Sequence, residues 1–256
     1  MRQKLPNIWH SDANFNIGQR PVLLCHNSKN GFRLVLDESS LVDRTIYTNG
    51  NWESEQQNYI FHTANRIIGT SIENAIFLDI GAYWGLYSIA AAQSNKFRKV
   101  MAFEPEPQNR AQLYTQIFIN GLAYKIEVIP IALNDTQQEV EFWRADKHPK
   151  GNRGGVGILP NKSKNSITLK SLPLDNLICF KNHILIMKID VEGAESRVIR
   201  GATCTLSSNQ CFLQVEALDQ NADELHNELT SIGFKKVNQI HSDYYYTNIA
   251  DLSKEL

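Results

Sequence analysis

The feature that most constrains this chain is a repeated pair: a short apolar run that stops at glycine or an acid, then a stretch of helical spacing. Ile76-Phe77-Leu78-Asp79-Ile80 stops at Gly81 and is followed by the alanine-rich stretch Leu86 to Gln93. Val100-Met101-Ala102-Phe103 is cut by Glu104-Pro105-Glu106-Pro107, and the next helix, Gln108 to Ile119, closes on Asn120-Gly121. Ile126 to Leu133 reads as a third strand. Ile184 to Ile189 reads as a fourth, with a helix from Ala194 to Leu206. Cys211 to Val215 reads as a fifth, with a helix from Ala222 to Ile232 before Gly233. Phe234 to Ile240 and Tyr244 to Ile249 read as a closing antiparallel pair. Alternation of this kind predicts an α/β fold: a mostly parallel seven-stranded sheet with helices on both faces and an antiparallel C-terminal strand. Its ligand should lie at the carboxyl ends of the strands.

Upstream, residues 32–48 alternate enough to predict a hairpin around Asp37–Asp43, and residues 56–68 have helical spacing. The expected organisation is an N-terminal extension over 1–55, part of the same domain, and a main domain over 56–256 that carries an insertion at 144–170. A chain of 256 residues can bury one large core without staples. Its net charge of −1 excludes a global field that would draw in DNA or an anionic membrane. Cys25, Cys179, Cys204 and Cys211 form no CxxC pair, so they read as reduced, mostly buried thiols rather than a zinc or disulfide framework. Met1 to Asn7 leads into polar residues, and the most apolar stretch, Ala75 to Ala92, holds Asp79 and two glycines. The expectation is a cytoplasmic protein with no signal peptide and no membrane span.

The loop after the first strand, Asp79-Ile80-Gly81-Ala82-Tyr83-Trp84-Gly85, is not the G-x-G-x-x-G of a dinucleotide fold. A pyrophosphate would be repelled by the carboxylate of Asp79, whereas a ligand bearing sulfonium and ammonium groups would suit it. Gly81 and Gly85 would let the backbone approach that ligand; equally, they could serve only the turn. Glu104, ending the second strand, is placed to accept hydrogen bonds from ribose hydroxyls. Asn134 and Asp135 could reach an adenine amino group or simply form a turn. Asp190 and Glu192 end the fourth strand on one side, and Glu216 ends the fifth. They could bind acceptor hydroxyls, supply a base, or hold a divalent cation such as Mg2+ with waters. His241, at the start of the last strand, is a minority candidate for the base. Trp84 could stack on a cofactor or a sugar, or belong to the core.

These features resemble a class I, Rossmann-like S-adenosylmethionine-dependent methyltransferase. Further downstream, Lys188-Ile189-Asp190-Val191-Glu192-Gly193-Ala194-Glu195 and Val198-Ile199-Arg200-Gly201-Ala202 resemble the signature of FkbM-type methyltransferases. Gly50-Asn51-Trp52-Glu53, Phe103-Glu104-Pro105 and Leu172-Pro173-Leu174-Asp175 fall in that family's order, so the resemblance runs from about residue 50 to 247. Tyr83 departs from it, standing where the family usually has Asn. The resemblance implies O-methylation of a sugar, glycan or glycosylated metabolite. Asp79, Gly81, Ala82, Tyr83, Gly85, Glu104, Pro105, Asn134, Asp135 and Asp190 would then face S-adenosylmethionine. Asp190, Glu192, Glu216 and His241 are the catalytic candidates.

The segment 144–170 holds seven basic residues and one acid, with Gly151, Gly154, Gly155 and Gly157. It reads as a solvated mobile loop or as a lid in which Arg153 and Lys162 meet an anionic small-molecule or saccharide acceptor, with Trp84 as a further acceptor-binding candidate. Two other readings stay open. One is an RNA or other nucleic-acid methyltransferase, for which the basic segment is the support. The other is a non-catalytic cofactor-binding protein of a glycan assembly.

Overall fold

The structure is a computed structural model that describes residues 22–25, 31–148, 151–250 and 252. The chain opens with β1 (Val22–Cys25), β2 (Leu34–Asp37), α1 (Leu41–Asn49) and α2 (Ser54–Ile68). It continues through β3 (Ala75–Ile80), α3 (Leu86–Gln93), β4 (Lys99–Phe103), α4 (Pro107–Ile119) and β5 (Ile126–Ile129). Four strands follow: β6 (Ala132–Leu133), β7 (Gln138–Trp143), β8 (Ile158–Leu159) and β9 (Ser166–Leu172). The remainder is β10 (Ile184–Ile189), α5 (Glu195–Arg200), α6 (Thr203–Ser207), β11 (Gln210–Glu216), α7 (Asp219–Ser231), β12 (Lys235–Ile240) and β13 (Asp243–Thr247).

Seven strands form one sheet in the order β12-β13-β11-β10-β3-β4-β5. The five from β11 to β5 are parallel, and β13 is antiparallel to both β11 and β12. Every residue of β3 and β10 is buried, as expected of central parallel strands that read as unbroken apolar runs. Phe77, Ile186 and Phe212 point to the core beneath α2 and α3, while Leu78, Met187 and Leu213 point to the core on the other face. The chain leaves β3 toward β4 on one side and returns to β10 on the other. The order reverses there, and a crevice opens at the carboxyl ends.

Four expectations are corrected. Residues 41–49 form a helix, not the second arm of a hairpin: Val42 and Ile46 stand four apart and are both buried, and Gly50 (φ 78°) ends the turn. The alternation belongs to β2 alone, which pairs antiparallel with β1. The third strand stops at Ile129 because Pro130 has no N–H for the ladder. Ala132–Leu133 instead joins a second sheet, β6-β9-β7-β8. The segment 144–170 is not one long loop, since β8 and most of β9 lie within it and pair with β7. The helix expected over 194–206 breaks at Gly201, where a Cβ would lie 2.1 Å from the carbonyl oxygen of Asn134.

Of the thiols, Cys211 is buried, whereas Cys179 and Cys204 are exposed. The side chain of Cys25, residues 1–21 of the expected extension and Lys150 lie outside the described residues. Among the described residues no helix is long and apolar enough to cross a membrane.

Candidate functional site

The crevice is built by the ends of β3, β4 and β10. After β3 the N–H groups of Gly81 and Ala82 both donate to the carbonyl of Phe103, and Asp190 donates its N–H to Ile80. Gly81 has φ 82°, and a Cβ there would sit 1.7 Å from the Asp190 carbonyl oxygen. At Gly85 (φ 92°) a Cβ would meet Leu113 at 2.4 Å. Gly81 is therefore demanded by the neighbouring backbone and Gly85 by its left-handed conformation, before any ligand is considered.

Two cavities meet at Gly81, Asp190 and Gly154, which line both. The first, about 470 Å³, is bounded mostly by apolar residues such as Ile80, Phe103, Pro105, Leu133 and Val156, with Glu104 at its wall. Glu104 is 4% exposed; its Oε2 accepts the N–H of Tyr83 at 2.8 Å and its Oε1 that of Glu106 at 2.8 Å. Each oxygen keeps a lone pair free for another donor. Burial pushes Glu104 up to about 8, against these two N–H groups. Glu106 in turn caps α4, accepting from the N–H groups of Gln108 and Asn109.

The second cavity, about 690 Å³, is lined by five carboxylates (Glu53, Asp79, Asp190, Glu192 and Glu216) and one ammonium, Lys188. Trp52, Tyr83 and Trp84 add aromatic walls. Asp79 is 2% exposed and accepts the N–H of Ser88 at 2.8 Å and its hydroxyl at 2.5 Å, so it caps the first turn of α3. Burial nonetheless lifts it to about 6.

Lys188 stands at the centre. Its Nζ lies 3.0 Å from Asp243, 3.5 Å from Glu216, 3.7 Å from Asp190 and 3.8 Å from Glu53, and 5.3 Å above the Tyr87 ring. Burial alone would lower its pKa, but Glu53, Asp190 and Asp243 hold it well above the ordinary value. Burial raises the Asp190 carboxyl, Lys188 opposes the shift, and Glu216 and Glu192 add to it. Glu192, in a left-handed turn (φ 54°), is carried up to about 7 by burial and by Glu216 and Glu195. Sequence reasoning alone misses Lys188, Glu53 and Asp243 as members of this site. The available signal was a lysine near the end of an otherwise apolar strand.

The structure thus gathers Asp79, Gly81, Ala82, Tyr83, Trp84, Asp190, Glu192 and Glu216 around one cavity, and Glu104 and Pro105 around its neighbour. Other expected residues fall elsewhere. Asn134 is fully buried, bonded to the N–H of Asp135 and to Ser171, and Asp135 pairs with Arg200 on the surface; neither lines a cavity. His241 is exposed, 4.0 Å from Glu55, outside both cavities. Arg153 is 6% exposed and its guanidinium meets Asp37 at 2.9 Å, so it is not held out toward an anion. Lys162 is exposed and lines neither cavity. The Nε1–H of Trp84 donates to Asp43 at 2.7 Å, and the phenol of Tyr83 donates to the same carboxylate at 3.0 Å.

Among the described residues no three acidic, histidine or cysteine side chains are arranged to hold a metal ion. The Lys188 ammonium already sits between Asp190 and Glu216, so these residues do not fit a divalent cation.

The family model of the methyltransferase FkbM domain matches residues 79–236, more than half of the chain. Among solved structures, the chain is similar to a methyltransferase FkbM from Methylobacillus flagellatus, at 19% identity and a TM-score of 0.45. That similarity covers 67% of this chain and 42% of that one, so the chain spans less than half the length of that protein. It is also similar to a ribosomal protein L11 methylase from Lactobacillus delbrueckii (11% identity, 77% of this chain and 79% of that one, TM-score 0.45). A human methyltransferase 10 domain containing protein stands at 12% identity, covering 77% of this chain and 81% of that one, with a TM-score of 0.46. No curated protein matches the sequence.

Proposed function

The chain belongs to the FkbM methyltransferase family, and from that premise we propose that it transfers a methyl group from S-adenosylmethionine to a hydroxyl of a sugar, glycan or glycosylated metabolite. The observation that carries the reading is the pair of joined cavities. One is mostly apolar, with Glu104 in its wall and Asp190 at the junction, suited to an adenosine whose ribose hydroxyls would donate to the free lone pairs of Glu104. The other carries five carboxylates against one ammonium, suited to a sulfonium and an ammonium group. Gly81 and Asp190 stand at the junction, where the reacting carbon belongs.

When bound, S-adenosylmethionine supplies an electrophilic methyl carbon: the acceptor oxygen's lone pair forms the new C–O bond, and the C–S electron pair leaves with sulfur. Asp190, Glu192 and Glu216 then have two tasks. They fix the acceptor hydroxyl in line, which in well-oriented systems supplies up to roughly 7–11 kcal/mol. They also receive its proton, a smaller factor of about 10²–10⁴. Burial holds the Asp190 carboxyl well above its ordinary range, so it keeps an abstracted proton more firmly than a free carboxylate would. Lys188, 3.7 Å away, steadies it once ionised.

Glu104→Gln tests the cofactor assignment by calorimetric binding of S-adenosylhomocysteine. A hydrogen bond to a charged group is worth about 1.5–3 kcal/mol, so affinity should drop roughly tenfold to a hundredfold. The ribose donors need the ionised acid, which forms as pH rises through about 8. Wild-type affinity should therefore strengthen up to that pH, and the Gln variant should lose the slope. Equal affinity and equal slope would remove Glu104 from the site. Labelled methyl from S-adenosylmethionine that arrives in RNA rather than in saccharide would overturn the acceptor class.

A further inference from the structure

We propose that a third cavity, between β2, α1 and α2, is the subsite that receives a neutral sugar ring of the acceptor, next to the hydroxyl to be methylated. The inference rests on the methyl-transfer reading above and specifies where that acceptor lies and what charge it carries. The cleft spans about 730 Å³, part of it open to solvent, and shares Trp52 and Leu86 with the carboxylate-lined cavity, so the two lie against the same side chains.

Its lining differs in kind from that centre. Phe32 and Ile46 give an apolar wall, and Asn51, Ser54 and Asn58 give uncharged donors and acceptors. None of the described residues that line it is charged. A charged acceptor group would lose its hydration there without a counter-charge, which is costly. An alkyl chain would strand the amides. A neutral sugar ring satisfies both surfaces, with C–H faces against the aromatic ring and hydroxyls toward the amides.

Trp52 is fixed at the junction from two directions. Its Nε1–H donates to Glu53 at 2.7 Å, and its carbonyl accepts from the Gln57 side chain at 2.7 Å. The flanking backbone is left-handed on both sides, at Gly50 (φ 78°) and at Glu53 (φ 51°). For a non-glycine residue such as Glu53 that conformation is strained, and it persists where surrounding contacts over-determine it. Here the Glu53 carboxylate accepts from the Tyr87 hydroxyl at 2.7 Å and lies 3.8 Å from Lys188. The bracket therefore couples the aromatic wall of the outer groove to the charged centre.

The test is transfer of labelled methyl from S-adenosylmethionine to saccharides of a cell extract, separated by ion exchange into neutral, anionic and cationic fractions. Asn58 is exposed on α2 and outside the charged cavity, so Asn58→Trp narrows the groove mouth without touching the centre. The expected result is label in the neutral fraction, and for Asn58→Trp a KM at least tenfold higher with kcat and S-adenosylhomocysteine affinity unchanged. Asn58→Ala, which leaves the groove open, should shift KM by only a few-fold. Label confined to a charged fraction or to a lipid extract, or an unchanged KM in Asn58→Trp, overturns the subsite while methyl transfer stands. Failure of the wild-type protein to bind S-adenosylhomocysteine is the separate failure of the methyl-transfer reading.

Discussion

Lys188 is the one charged side chain of β10, and it is 2% exposed in the middle of the sheet. An ammonium moved from water to such a place costs several kcal/mol unless carboxylates surround it. Asp243, Glu216, Asp190 and Glu53 do so, and Gln214 and Tyr87 tie that shell together through hydrogen bonds to Asp243 and Glu53. Removing the cation leaves the acids crowded and uncompensated. We expect Lys188→Met to lose about 3–5 kcal/mol of stability near neutral pH by urea unfolding. Burial already raises Asp190, Asp79 and Glu192, and Lys188 opposes each shift, so without it their folded-state pKa values rise further above the unfolded ones. Their contribution is then present below the unfolded pKa and is lost as pH rises through the raised folded one. The variant's deficit should be small at pH 5 and grow toward pH 8, while wild-type Lys188, held well above its ordinary value, stays charged throughout. A deficit that is constant with pH would show that Lys188 acts by packing alone.

At the scale of elements, the ends of β3 and β10 close on each other because Gly81 offers no side chain to the Asp190 carbonyl. Gly81→Ala must push the two strand ends apart, with an expected cost of at least about 3 kcal/mol and loss of S-adenosylhomocysteine binding. Gly121→Ala is the control: its φ is 67°, nothing lies within 4 Å of the new Cβ, and only the left-handed penalty of about 1–2 kcal/mol applies. Comparable unfolding midpoints for the two would refute the close-approach argument. This strand pair was legible in the sequence because buried parallel strands are unbroken apolar runs that end at a glycine or an acid. The α1 helix was not, since it buries only two apolar residues, Val42 and Ile46, and Ile46 beside Tyr47 mimics a continuing alternation. Nor was the second sheet: β7 and β9 are joined through a polar, glycine-rich segment whose composition resembles a loop. Asp190, Glu192 and Glu104 were legible as strand-end acids, but what surrounds them was not. Asp243 and Glu53 reach Lys188 from far along the chain.

Across the whole molecule, the N-terminal segment, the glycine loop and the inserted sheet meet in one buried polar knot. Asp43 of α1 accepts from Trp84, Tyr83, Gln112 and the N–H of Asp37. Asp37 pairs with Arg153 of the insertion at 2.9 Å, and the Arg153 carbonyl accepts from Asn109 of α4 at 2.9 Å. This accounts for the phenol at position 83: it spans from the loop beside Glu104 to Ser40 and Asp43, a distance a shorter amide would not bridge. It also gives Arg153 a structural partner that the charge of the basic segment alone does not reveal. The charge of Arg153 was readable, but its partner lies 116 positions earlier. Taking one member from a buried ion pair leaves the other uncompensated, so Arg153→Met should cost about 3–5 kcal/mol. Asp37→Leu with Arg153→Met removes both charges and should recover most of that loss, because buried apolar pairs often match ion pairs in stability. Urea unfolding of the two single variants and the double measures the coupling. A stabilising coupling above about 1 kcal/mol is expected, as for residues in direct contact. The single variant should also bind S-adenosylhomocysteine more weakly, since Tyr83, which stacks 6.0 Å from the guanidinium, donates its N–H to Glu104. If Arg153→Met unfolds within about 0.5 kcal/mol of wild type, the insertion is held by its strands alone and the knot is incidental.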